Sequence, residues 1–241
     1  MRNEYAGDIG DFAKVALLQA VARPAARLGV VWYLNVLPET NRDGTITTFE
    51  YLRYCADELF RKISVIPLCA SRSVSCLQAL IPQAIYYSEP IPYSRSDSPG
   101  NRSEQRKGWF CSAMAKLAQS DFVFLDPDTG LAPDRVKDHH KRAVKYAFAH
   151  EITEFLEHEK AVILYQHQNH KGNLAQQITE FRQGEFKTAW KFALSFHRQS
   201  VRVFHFLSRN DRLTAELRER ALEFLKGAWG KDEHFRMHDG G

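Results

Sequence analysis

The chain has 241 residues, 44% of them hydrophobic and 26% charged, with a formal net charge of +4 and a pI near 8.8. Its 16 Phe and 9 Tyr supply enough apolar surface for a layered core, and no stretch is apolar for long enough to span a bilayer. The first residues lack the basic-then-apolar pattern of an export signal, and Cys55, Cys69, Cys76 and Cys111 form no Cys-x-x-Cys pair. The expectation is a cytoplasmic α/β protein without a membrane partner, a single domain over residues 1–241, its thiols reduced and used in packing.

In chain order, Phe12, Val15, Ala16 and Ala22 recur at helical spacing behind Asp8 and Asp11, an acidic pair placed to cap a helix start. Gly29 to Leu34 is a compact apolar run ending in the polar stretch Pro38 to Gly44, which predicts a buried strand and a loop. Phe49, Leu52, Ala56 and Leu59 mark a helix. Ile63 to Leu68 and Ala84 to Ser88 read as weak strands around a short helix in Ser73 to Leu80.

Residues 94–107 combine Ser, Pro, Gly and Arg without apolar periodicity, which predicts a mobile surface loop able to touch phosphates through Arg95 to Lys107. Trp109, Phe110, Ala113, Met114 and Leu117 then form a helix stripe leading into the all-apolar strand Phe122-Val123-Phe124-Leu125. A helix from about Lys141 to His158 precedes the strand Ala161 to Gln166. Lys191 to Phe196 and Val201 to Leu207 alternate as a hairpin, and a helix over Arg212 to Lys226 closes the pattern. The strand-helix alternation predicts a Rossmann-like, mainly parallel sheet flanked by helices, with a C-terminal antiparallel hairpin at its edge.

Ligands of such sheets bind beyond the carboxyl ends of the strands. Three groups fall there. Asp126-Pro127-Asp128-Thr129-Gly130 places two carboxylates around a rigid proline after the most apolar strand; an Asx turn with Gly130 would account for the same residues structurally. Tyr5 to Lys14 offers two glycines, a helix start and a lysine, although a simply capped helix explains Gly7, Asp8, Gly10 and Asp11 equally well. Tyr165 to Gly172 bunches donors and acceptors, with His167 best placed to enter a pocket and His170 three residues on. Glu39 and Asp43 follow the first strand and could join the cleft or sit in an ordinary turn. The fingerprints of P-loop NTPases, serine hydrolases and dinucleotide-binding dehydrogenases are absent.

Tyr5-Ala6-Gly7-Asp8-Ile9-Gly10-Asp11-Phe12-Ala13-Lys14 resembles the His-Ala-Gly-Asn-x-Ala-Asp-x-x-Lys-His segment of the large-subunit ribosomal RNA adenine-N6 methyltransferases, matching at Ala6, Gly7, Asp11 and Lys14. Phe124-Leu125-Asp126-Pro127-Asp128 is similar in placement to that family's strand ending in Asp-Pro-Pro-Tyr. The resemblance implies S-adenosylmethionine held near Gly7, Asp8, Asp11 and Lys14 and by the loop after Leu34 with Asn35 and Glu39. Asp126 and the Pro127 carbonyl would then accept hydrogen bonds from an amino group of a nucleic acid or nucleotide. Two departures point to an alternative: Asn35 to Glu39 is free of glycine, and Asp128-Thr129 replaces the aromatic residue that would stack on the base. In that alternative, Asp126, Asp128 and Asp8 hold Mg²⁺ or Mn²⁺ for a nuclease or phosphodiesterase, with His167 as base or ligand.

Overall fold

The computed structural model describes residues 1–22, 27–37, 46–94, 96–168 and 172–239. The run Phe122–Leu125 (β3) is apolar throughout because both of its faces are covered. Phe122 and Phe124 enter one core, while Val123 and Leu125 enter the other. The same two-sided burial shapes Leu28–Val31 (β1) and Ala161–His167 (β6), which pair with β3 in parallel, while Ile85–Tyr87 (β2), which pairs in parallel with β1, is a partly exposed edge strand.

Trp190–Phe196 (β7) and Arg202–Leu207 (β8) form the expected antiparallel pair, but not at the edge. β8 lies against β6, and an unforeseen strand, Phe235–Asp239, covers β7. Labelling that last strand β9 and the short pair Gly130–Leu131 and Tyr146–Ala147 β4 and β5, the main sheet runs β2-β1-β3-β6-β8-β7-β9. It is a seven-stranded mixed sheet with a parallel core.

One face carries the helices Ile9–Val21 (α1), Asp57–Ile63 (α2) and Val74–Gln78 (α3), together with Asp211–Lys226 (α7) and Ala228–Lys231 (α8). The other carries Pro99–Lys116 (α4), Ala149–Glu157 (α5) and Leu174–Gln183 (α6). The α1 expectation holds in detail: Asp8 is the N-cap, its carboxylate accepting from the Asp11 amide at 2.8 Å. No helix among the described residues is long and apolar enough to cross a membrane.

Several sequence expectations are corrected. Residues 99–107, expected within a mobile loop, are helical: α4 begins at Pro99, capped by the Ser98 hydroxyl, and Arg102 and Arg106 are buried. Ile66–Leu68 is a 3-10 turn rather than a strand. The helix expected from Phe49 divides into a 3-10 turn, Glu50–Cys55, and α2. The one expected from Lys141 divides into a 3-10 turn, Lys141–Lys145, then β5 and α5. The thiols are free, but Cys69 and Cys111 are exposed rather than packed. Arg95, Pro38 to Gly44 and Asn169 to Lys171 lie outside the described residues, and the candidates Glu39, Asp43 and His170 lie there with them.

Candidate functional site

After β1 the chain first builds β2 on one side and then returns to build β3 on the other. The order therefore reverses between β1 and β3, and crevices for ligands open at the carboxyl ends of such a pair. Those ends are Val31 and Leu125, bridged by the Asp126 amide donating to the Val31 carbonyl at 3.0 Å.

Lys14 projects from the α1 face to this point. Its ammonium donates to Asp11 Oδ1 at 2.8 Å and to Asp126 Oδ2 at 2.9 Å. It also lies over the rings of Trp32 and Tyr165. All three charged side chains are buried. Burial works against the Lys14 cation, yet the Asp11 and Asp126 carboxylates outweigh it and hold the pKa above the ordinary lysine value. Asp126 moves up, because loss of hydration exceeds the pull of Lys14. The second oxygen of Asp11 accepts from the Gly7 amide at 2.9 Å, with Gly7 at φ 88°. A Cβ there would stand 2.9 Å from the Ile66 side chain, so both backbone and space require glycine.

Asp8 is driven up to about 6 by burial and then by the neighbouring Asp11 charge. Its free oxygen faces the Arg202 guanidinium at 4.0 Å. Gly10 makes room for that guanidinium, since a Cβ would lie 2.7 Å from Arg202 Nε. Asp128 accepts from the α-amino group of Met1 at 2.6 Å; burial pushes its carboxyl up, but this cation together with Lys145 and Asn35 outweighs burial and holds Asp128 below the ordinary carboxylate range. The same amino group donates to the Tyr33 carbonyl at 2.9 Å, and Asn35 is buried beside it, its amide bonded to the Met1 carbonyl at 2.9 Å. Pro127 is buried between the two aspartates.

His167 packs edge-on against Tyr165 at 5.2 Å between centroids. Burial, then the Arg202 and Lys14 charges, lower it to about 3, so the ring is neutral and a weak base at neutral pH. It suits a hydrogen-bonding role better than proton abstraction.

Gly7, Asp8, Asp11, Lys14, Asn35, Asp126, Pro127, Asp128 and His167 thus gather around the carboxyl ends of β1, β3 and β6. They do not gather as metal ligands: among the described residues no group of three or more His, Cys, Asp or Glu side chains is arranged to hold a metal ion. Lys14 stands between Asp11 and Asp126, where it already neutralises their charge. Tyr165, which opens the third candidate group, lies against the Lys14 ammonium, whereas two further participants, Trp32 and Arg202, do not stand out in the sequence as site residues. Arg202 alone leaves a signal there, an arginine inside the mainly apolar run Val201 to Leu207, whose only other polar residue is His205. Trp32 Nε1 and Arg202 Nε are buried without hydrogen-bond partners among the described residues, so the site holds donor capacity that the protein does not itself use. Compared with known protein families, curated proteins and solved structures, the chain matches none.

Proposed function

We propose that this protein is a methyltransferase-like enzyme that uses S-adenosylmethionine on an amino group of a nucleic acid or nucleotide. The observation that carries the reading is the convergence of Lys14, Asn35 and Asp126 where the strand order reverses between β1 and β3. The unused donors Trp32 Nε1 and Arg202 Nε suit a ligand rich in acceptors, as this cofactor is through its carboxylate and adenosine.

Bound there, S-adenosylmethionine supplies an electrophilic methyl group. Lys14 engages only Oδ2 of Asp126, which leaves Oδ1 to accept from a target amino group. The Pro127 carbonyl accepts the other N–H, and the two contacts aim the nitrogen lone pair. Asp126, raised above the ordinary carboxylate value, is suited to take the proton that the nitrogen sheds.

Isothermal calorimetry with S-adenosylmethionine tests the reading. Micromolar binding that survives Asp126→Asn but is lost in Lys14→Ala is the expected result. Absence of cofactor heat, together with Mn²⁺ binding that Asp128→Asn abolishes, would move the assignment to metal-dependent phosphodiester cleavage.

A further inference from the structure

We propose that residues 132–145 form a phosphate-contacting loop through which the protein holds a polynucleotide against Asp126 and Asp128. The loop leaves the sheet directly after the Asp126-Pro127-Asp128 turn. Its ends are tied by β4 and β5, which pair Gly130 with Tyr146 and Leu131 with Ala147, and by the Thr129 amide on the Lys145 carbonyl at 2.9 Å. It is a loop with closed ends and its own buried anchors, Val136, Ala143 and Val144.

Buried cations of the scaffold hold its backbone. Arg102 Nε donates to the His139 carbonyl at 2.6 Å, Arg106 donates to the Ala143 and Tyr146 carbonyls at 3.0 and 2.7 Å, and the Tyr93 hydroxyl donates to the Asp138 carbonyl. Arg102 and Arg106, which the sequence offered for phosphate contact, are therefore spent on shaping this loop. The loop shows Arg135, Lys137, Lys141 and Arg142 to solvent, together with a single exposed acid, Asp134.

None of these four forms an ion pair with a described residue. Elsewhere the exposed cations Arg53 and Arg61 share Asp57, Lys62 meets Glu58, and Lys226 meets Glu223. Asp138, one of the two acids within the loop, is turned onto the His139 amide at 2.7 Å. Four unneutralised cations on a pre-ordered loop match the repeated charge of a phosphodiester backbone better than one nucleotide, and the pinned backbone lowers the ordering cost of contact. The proposal names the substrate class of the site described above and rests on that reading for the reaction, though not for the contact itself.

The test is fluorescence anisotropy with labelled single-stranded RNA, single-stranded DNA and duplex oligonucleotides across a salt series. The loop variant combines Arg135→Ala, Lys137→Ala, Lys141→Ala and Arg142→Ala. A charge-matched control combines Lys116→Ala, Lys187→Ala, Arg209→Ala and Arg212→Ala, exposed cations flanking the amino ends of β3 and β6.

The expected result is at least ~10-fold weaker binding in the loop variant, with the salt slope of log K reduced by roughly 3 to 4, at ~0.7–0.9 for each phosphate that the variant no longer neutralises. The control retains affinity, and both variants keep the wild-type melting temperature. Equal losses in both variants, no wild-type binding at low salt, or loop-dependent capture of anionic vesicles in place of oligonucleotides would overturn the proposal. Calorimetry with S-adenosylmethionine on the same proteins separates the two ideas. Loop-dependent oligonucleotide binding without cofactor binding removes methyl transfer and leaves the loop assignment standing.

Discussion

Lys14 joins two carboxylates that would otherwise repel each other in a dry interior. Asp11 lies three residues away on the same helix, a spacing at which side chains meet, whereas Asp126 comes from 112 residues further along. Half of this triad was legible as a local pattern, and half arises only when α1 packs on the carboxyl end of β3. Lys14→Met removes the shared cation and strands two buried carboxylates, which costs about 3–5 kcal/mol. The urea midpoint should fall accordingly, and adding Asp126→Asn should recover part of the loss by removing one stranded charge. A Lys14→Met protein as stable as wild type would show that the triad contributes nothing to folding.

Among the elements, α4 shows most clearly how distant partners override local appearance. Its Arg102 and Arg106 make the segment look like a polar loop, although Ser98 and Pro99 are a good helix start. Both arginines are buried largely through distant partners: Glu151 meets Arg106 at 2.7 Å from 45 residues away and also accepts from Tyr33, carbonyls of residues 139–146 accept from both arginines, and only the Asp97 carbonyl, which accepts from Arg102, is local. Phe148 lies under the Arg106 guanidinium. A flat, multiply bonded guanidinium is not replaced by a point charge, so Arg106→Lys should destabilise the protein by on the order of 3 kcal/mol. It should also speed amide exchange in residues 132–145 while leaving β3 and β6 protected. Uniform exchange across the loop and the sheet would contradict the pinning role.

At the scale of the molecule, buried histidines set the response to acid. His205 accepts from Trp190 Nε1 at 3.3 Å and stacks on Phe181 at 3.8 Å, and burial holds it near 3, as it does His167. The unfolded chain protonates these rings near 6.5 and the folded one only near 3, so between those values the unfolded state binds more protons and stability falls as pH falls. Asp8 works the other way: raised from 3.8 to about 6, it takes its proton first in the folded state and adds stability over that interval. Asp126, also raised, acts with Asp8, but the histidines dominate by number, since His197, His234 and His238 are lowered as well. Urea unfolding should weaken steadily below about pH 6.5, and His205→Gln, which keeps an acceptor for Trp190, should flatten the slope by up to about 1.4 kcal/mol per pH unit. An unchanged slope would mean that His205 titrates normally.

The sequence alone determined the parallel core, because strands buried on both faces must be apolar at every position, as Phe122 to Leu125 and Ala161 to Leu164 are. It also determined the cap and first turn of α1, where the contacts are local. Only the tertiary structure decided that β8 enters between β6 and β7, that Arg102 and Arg106 turn inward, and that Lys14 reaches Asp126. Each depends on partners far apart in the chain, and a charged residue reads as exposed until the group that neutralises it has been folded beside it.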